Sequence, residues 1–433
     1  MFVHYSGKRE TSRVWPTCHD HQISHADDQT DVMSNSHTGD LGAVGAAAAL
    51  MIISVMPAFA LGTLAPFIIN DLDRGAATVG QAYGLFFLMA GIASPAFGRL
   101  VDGPFEMPLD RMLLWGAALC AVVLATSVGR WSLYAGSIVG GLCYGGANPV
   151  TNASLSTLGH RFRGLGLGAK QAGVPAASAL SGLLVPVVAV TMGWREAFAL
   201  IAIVAVIGGL VLRIPVTRQS AAVMPDLNPN PIIHQSLSYR YLVGYAFFLS
   251  FVTSCFNTYL VLYIVQADIL VVALAGSVVA FAGCVGMASR IASARWTDRQ
   301  TSAGIFRSLT VFALGGASAC AFLALGSSGA MLWLPAVLLY GLCLFGWGGA
   351  LAVALVRAAP GRTGRATGTV YAGFYAGLSL GPVAFGSFLL PRWGYSAAWW
   401  ACAGAACIAA LCLVPATVPP SWRAQASIRR RYS

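Results

Sequence analysis

The chain has 433 residues, 57% of them hydrophobic and only 9% charged, whereas a soluble domain carries roughly 25% charged residues. This composition excludes a soluble enzyme or binding module. The formal net charge of +11 would suit a nucleic-acid partner, but the basic residues fall where membrane topology puts them, so none is expected.

Residues 1–40 are polar, hold five of the seven histidines, and contain no apolar stretch of signal-peptide length. They are expected to form a disordered cytoplasmic tail, in which Cys18, His19, His21 and His25 lie close together incidentally rather than as a metal site. Met33 offers a second, more ordinary start just before the first apolar run. From residue 41 to 418, apolar runs alternate with short polar breaks. Each run has about the 20 residues that a helix needs to cross a hydrocarbon core of about 30 Å.

Twelve spans are predicted, at 43–69, 78–99, 111–128, 132–157, 165–191, 197–213, 241–265, 269–291, 305–326, 330–356, 366–390 and 396–417. The expected fold is all-α and polytopic, with an N-terminal six-helix bundle at 41–213 and a C-terminal one at 241–418. A Pro-rich cytoplasmic linker at 214–240 joins them, and a basic cytoplasmic tail follows at 419–433. Arg74, Arg130, Arg195 and Arg392 are the only basic residues in loops on one side, while nearly all the others fall on the opposite side. That asymmetry places both termini in the cytoplasm; a bacterial inner membrane is the expected location. Nine of the ten cysteines lie in or beside spans, and none forms a Cys-x-x-Cys pair, so packing is expected of them.

Taken in order, the turn after span two is Gly98-Arg99-Leu100-Val101-Asp102, with Arg111 opening span three. Span four carries Asn148 and Asn152 one helical turn apart. Span five contains Gly168-Ala169-Lys170-Gln171-Ala172-Gly173-Val174-Pro175, in which Lys170 is the one ionisable side chain clearly inside a span. A charge at such a depth costs about 2.5–3.5 kcal/mol on insertion scales, which points to a transport pathway or a bound partner. Lys170 and Gln171 are therefore candidate ligands for a carboxylate or other anion. The alternative is a side chain that snorkels to the near interface. Span seven adds Tyr259, and span eleven adds Tyr371 and Tyr375 on one face.

The halves repeat. Gly168, Ala172 and Gly173 correspond to Gly368, Ala372 and Gly373 at an offset of 200, and Gly193-Trp194 corresponds to Gly394-Tyr395 after a slip of one. The turn after span eight, with Arg295, Asp298 and Arg299, repeats the turn after span two, Asp298 standing 196 residues beyond Asp102. On these two turns the chain resembles the major facilitator superfamily over about residues 41 to 418. The resemblance implies a secondary transporter in which Gly98, Asp102, Arg295, Asp298 and Arg299 latch the cytoplasmic side closed. The Lys-Gln-x-Gly-x-Pro segment of span five is similar to that of bacterial permeases for small organic or inorganic anions. The sequence departs from proton-coupled members in having no Asp or Glu well inside a span and no Arg in Gly136–Gly141.

The expected activity is alternating-access transport of a small-molecule substrate, an organic anion such as a carboxylate, with direction open and with anion exchange, uniport, and symport in which the substrate or Lys170 carries the proton all compatible with the missing carboxylates. No cofactor and no metal is expected, and the lipid bilayer is the surrounding partner of a monomeric carrier. The competing readings are efflux of apolar or drug-like compounds and, more remotely, a polytopic membrane enzyme, for which the spans lack converging His and carboxylate groups.

Overall fold

The computed structural model describes residues 24–103, 107–156, 160–214, 235–326, 331–358 and 363–417. The linker and the C-terminal tail therefore lie almost wholly outside the described residues, as do the tail Cys18, His19 and His21. Packing separates a short leading unit, Met1–Gly42, from one compact unit, Ala43–Ser433, that holds every crossing.

All described elements are helical, and they fall one to one on the twelve spans. α1 comprises Ser24–Thr63 and, after a one-residue break, Ala65–Leu72; α2 is Ala76–Asp102 and α3 is Leu109–Ala125. α4 is interrupted, Arg130–Tyr144 and then Ala147–Ser156; α5 is His160–Thr191 and α6 is Trp194–Val211. In the second half α7 is Gln235–Gln266, α8 is Val272–Asp298 and α9 is Ser302–Leu325. α10 runs Trp333–Leu339, a π-helical turn Tyr340–Phe345, and Trp347–Ala358. α11 is Thr363–Ala384 with a π-turn Phe385–Leu389, and α12 is Leu390–Thr417.

Nine stretches among the described residues are long and apolar enough to span a bilayer, one of them a 47-residue run that joins α11 and α12. That run is kinked at Gly394, whose φ of 72° only glycine adopts without strain, so it counts as two crossings. The remaining two crossings are α3, 17 residues long, and α4, shortened by its break at Gly145-Gly146.

The repeat is visible in small structural devices. Gly193 at the start of α6 also has a positive φ, 125°, and Asp73 and Asp268, after α1 and α7, are the only non-glycine residues with positive φ among those described, at 47° and 52°. Arg195 at the start of α6 donates to the Ser127 carbonyl beyond α3 at 3.2 and 3.0 Å and pairs with Asp71 of α1 at 2.9 Å. In the second half the same two connections are made by neighbouring residues of α12: the Ser396 hydroxyl donates to the Ala324 carbonyl of α9 at 2.9 Å, and the Tyr395 hydroxyl donates to Gln266 of α7 at 2.6 Å. A staple between the first and third helices and the start of the sixth is thus built twice, ionic in one half and neutral in the other.

Call the end of the molecule from which the 214–240 linker leaves the linker end, and the other the far end. The two bundles pack closely in the far half. A Cβ added at Gly182 of α5 would fall 2.6 Å from backbone atoms of α8, and one at Gly283 of α8 would fall 2.6 Å from the backbone of α5. α2 and α11 approach in the same way at Gly84, 2.6 Å from the Ser379 carbonyl. In a bilayer, where there is no hydrophobic drive between helices, such small-residue contacts supply dispersion energy through close backbone approach. Toward the linker end the picture changes: a Cβ at Gly98, Gly168 or Gly368 would meet nothing within 4 Å. Among the described residues, nothing closes on these three glycines as it does on those of the far half.

Candidate functional site

The site lies where these geometries meet. α4 and α10, equivalent helices of the two halves, both lose regular α-geometry midway, at Gly145-Gly146 and at the π-turn Tyr340–Phe345. Irregular helices at membrane depth are tolerated where they line a cavity, and π-turns are frequent at functional sites. A cavity of about 60 Å³ lies between the bundles here, with walls from both halves. On its linker side stand Asn148, Gln171, Arg290, Trp347 and Tyr371; on its far side stand Phe59, Tyr83, Phe87, Asn257 and Phe345.

Lys170 does not snorkel. It is fully buried, ten residues into α5, and its ammonium turns inward to donate to Asn152 Oδ1 at 2.5 Å and to the Asn148 carbonyl at 3.3 Å. Its helical neighbour Gln171 lines the cavity, whereas Lys170 itself stands one layer behind the wall that Asn148 forms. Asn152 is exposed, and it serves the site through Lys170 rather than through the cavity.

Arg290 is the residue that the sequence pattern conceals. The sequence places it at the very end of span eight, beside a basic turn, but α8 continues to Asp298, which puts Arg290 eight residues inside the helix. It falls on the same stripe as the buried Gly283, Gly286, Ser293 and Thr297, the 3- and 4-residue spacing of one helical face. The extension was legible in Ala292-Ser293-Ala294-Arg295-Trp296, which contains no Gly or Pro. Arg290 lines the cavity, and its Nε is buried without a hydrogen-bond partner. Its guanidinium lies over Gly348, where an added Cβ would stand 2.2 Å from Nη2. Lys170, Tyr144 and Tyr371 are close enough to interact electrostatically with it.

The cavity thus has one cation in its wall and a second directly behind it, from opposite bundles, and no acidic side chain among its lining residues. Unpaired buried charge of one sign costs free energy that a bound opposite charge returns. An anion entering from the linker side would meet a guanidinium with free donor capacity, two amides and the positive potential of Lys170.

The other predicted residues divide. Tyr371 lines the cavity; Tyr375 is buried beside it, their rings 6.5 Å apart, and its hydroxyl lies near Asn148. Tyr259 is elsewhere: its hydroxyl donates to the Pro382 carbonyl at 2.8 Å and reaches the Ala76 carbonyl of the other bundle at 3.4 Å. It fills a notch between Gly80 and Gly386, where a Cβ would fall 1.8 and 2.0 Å from the hydroxyl. Tyr259 is therefore part of the far-end closure, reinforced by the Gln81 amide donating to Ser387 across the bundles at 3.1 Å. On α7 it stands two residues beyond Asn257, which lines the cavity, and it is not itself among the lining residues. At the linker end Arg295, Asp298 and Arg299 occupy the last, exposed turn of α8; Gly98 faces open space, and the Asp102 side chain lies outside the described residues. The sequence also gave no warning of Asn257, which accepts a short hydrogen bond from the Tyr340 hydroxyl and roofs the cavity.

The sequence profile of the Major Facilitator Superfamily matches residues 47–382. The hexuronate transporter of Bacillus subtilis (strain 168) is 28% identical over 167 residues, which is 36% of this chain and 37% of that protein's length. Among solved structures, the nucleoside transporter NupG superposes with a TM-score of 0.67 at 13% identity, covering 86% of this chain and 99% of that one. A human organic anion transporter gives a TM-score of 0.62 at 18% identity over 86% and 99% of the two chains. A bacterial homologue of the human lysosomal transporter Spinster, in an inward-facing and occupied conformation, gives 0.63 at 13% identity over 86% and 94%. At these identities the structural likeness speaks for the fold.

Proposed function

The chain belongs to the major facilitator superfamily, a membrane transporter rather than an enzyme, and we propose that its cargo is a small organic anion carrying a carboxylate. The observation that carries this reading is the pairing of Arg290 in the cavity wall with Lys170 behind it, unopposed by any acidic lining residue. The partial similarity to a hexuronate transporter supports an anionic cargo. In this reading Arg290 grips the carboxylate, Gln171 and Asn148 orient it, and Lys170 supplies potential from one layer out. The two bundles rock about the site. The structure then represents the state closed at the far end, where Tyr259 and Gln81 bridge the bundles.

The distribution of basic residues supports an inner-membrane protein with the linker end, the tail 1–40, the linker 214–240 and the tail 419–433 in the cytoplasm. The bundles at 41–213 and 241–418 are then the rocking units of a monomer. The turns containing Gly98, Asp102, Arg295, Asp298 and Arg299 come together as the latch when the linker end closes. With no carboxylate relay in the cavity, coupling runs through a counter-anion or through a proton carried by the substrate.

Purified protein in liposomes, assayed for uptake of a panel of organic anions and their uncharged amides, tests the proposal. Arg290→Gln is expected to abolish saturable anion uptake while leaving the protein folded and inserted. Uptake of uncharged compounds that survives Arg290→Gln would overturn it and favour efflux of apolar compounds.

A further inference from the structure

The cavity is polarised along its length. Its one charged group and two of its three amides, Arg290, Asn148 and Gln171, lie on the linker side, whereas the far side, apart from Asn257 and Thr253, is closed by the rings of Phe59, Tyr83, Phe87 and Phe345. These rings already contact one another or their neighbours: Tyr83 and Phe87 are 4.9 Å apart, and Phe59 and Phe345 are 6.4 Å apart. Of the polar groups that reach the far side, the Tyr83 hydroxyl is buried without a partner, and the others are partly or wholly committed. Asn257 accepts from Tyr340, and the Thr253 hydroxyl is spent on the Leu249 carbonyl at 2.8 Å and the Leu344 carbonyl at 3.3 Å. The Tyr83 hydroxyl and the Asn257 amide nitrogen could meet one or two hydroxyls of a solute, but among these rings each further hydroxyl would lose its water without a replacement, at the cost of an unsatisfied buried polar group.

Resting on the anion reading above, we infer that the substrate is a compact monocarboxylate with a planar apolar body, aromatic or unsaturated, and not a polyhydroxylated sugar acid. Its carboxylate faces the linker side against Arg290, and its body inserts among Phe59, Tyr83, Phe87 and Phe345, where ring faces and edges pack favourably. This inference departs from the cargo that the name of the partially similar hexuronate transporter would suggest.

The test uses the full-length protein with three probes: benzoate, the uncharged isostere benzamide, and galacturonate. Thermal unfolding in detergent reports binding, and counterflow in proteoliposomes reports transport. Benzoate is expected to raise the midpoint of unfolding and to be transported, with galacturonate at least tenfold weaker as a competitor and benzamide inert. Galacturonate binding as well as or better than benzoate would overturn this inference while leaving an anion carrier intact. Benzamide binding as well as benzoate would overturn both. Folded, monodisperse protein that responds to neither benzoate nor a ring-substituted benzoate would also overturn the inference.

Discussion

Lys170→Met separates the cost of the buried charge from its use. Methionine matches lysine in length and is apolar, so the exchange opens little space, and volume-conserving swaps usually cost under about 1.5 kcal/mol. Removing a cation at membrane depth relieves roughly 2.5–3.5 kcal/mol on insertion scales. Against this stands the loss of the hydrogen bonds to Asn152 Oδ1 at 2.5 Å and the Asn148 carbonyl at 3.3 Å, which as charge-assisted bonds contribute about 1.5–3 kcal/mol. Asn152 is exposed and can turn to water, so the lost bond to the Asn148 carbonyl and the cost of the exchange roughly offset the relief, and the empty carrier should keep about its wild-type stability. Binding should suffer instead. Opposite unit charges roughly 6–8 Å apart attract by about 2–3 kcal/mol at an effective dielectric constant of ~20, so a carboxylate held on Arg290 at such a separation from the ammonium would lose ~30- to 150-fold in affinity. The paired measurements are thermal unfolding without substrate and the substrate concentration that gives half-maximal uptake in proteoliposomes. A variant with unaltered half-saturation would refute the role of Lys170 as a source of potential. A fall of several degrees in the unfolding midpoint would show that it is a structural staple between α4 and α5.

Gly348→Ala places a Cβ 2.2 Å from Arg290 Nη2, which should lift the guanidinium off its shelf and weaken uptake about tenfold or more, a loss of ~1.4 kcal/mol; α10 should remain folded because alanine favours helix. Wild-type half-saturation in this variant would mean that the Arg290 position is not critical. Tyr259→Phe removes the hydroxyl that bridges to Pro382 and Ala76, worth about 0.5–1.5 kcal/mol, and should raise the population open at the far end several-fold. Labelling of a single cysteine introduced beside Gly80 would report it; an unchanged labelling rate would count against the closure assigned to Tyr259. Arg195→Ala breaks the pairing with Asp71 and both bonds to the Ser127 carbonyl and should cost about 1–2 kcal/mol. The loss should appear in thermal unfolding with half-saturation of uptake unaltered.

Several structural outcomes were legible because they depend on one-dimensional features. Apolar run length predicts the crossings, and all twelve spans correspond to helices. The offsets of about 200 residues predict the repeat, which returns as the paired positive-φ residues Gly193 and Gly394 and the paired staples of Arg195 and of Tyr395 with Ser396. Helix ends were less legible. An apolar count stops where Arg290, Arg295 and Asp298 begin to appear, but the backbone continues its hydrogen bonding as far as favourable residues allow, which carried α8 to Asp298.

The amino-acid sequence by itself determined that this chain is a duplicated bundle of membrane-crossing helices and that one of them carries a lysine within its apolar stretch, because burial in hydrocarbon leaves the backbone no choice but to bond within itself. Which polar groups share a cavity was decided only by the tertiary structure. Rotation and depth are set by how helices from different bundles pack. Packing through Gly182 and Gly283 brings α5 against α8, and it is this pairing that sets Arg290 beside Lys170. The insertion of Tyr259 between Gly80 and Gly386 likewise turned a predicted ligand into part of the far-end closure.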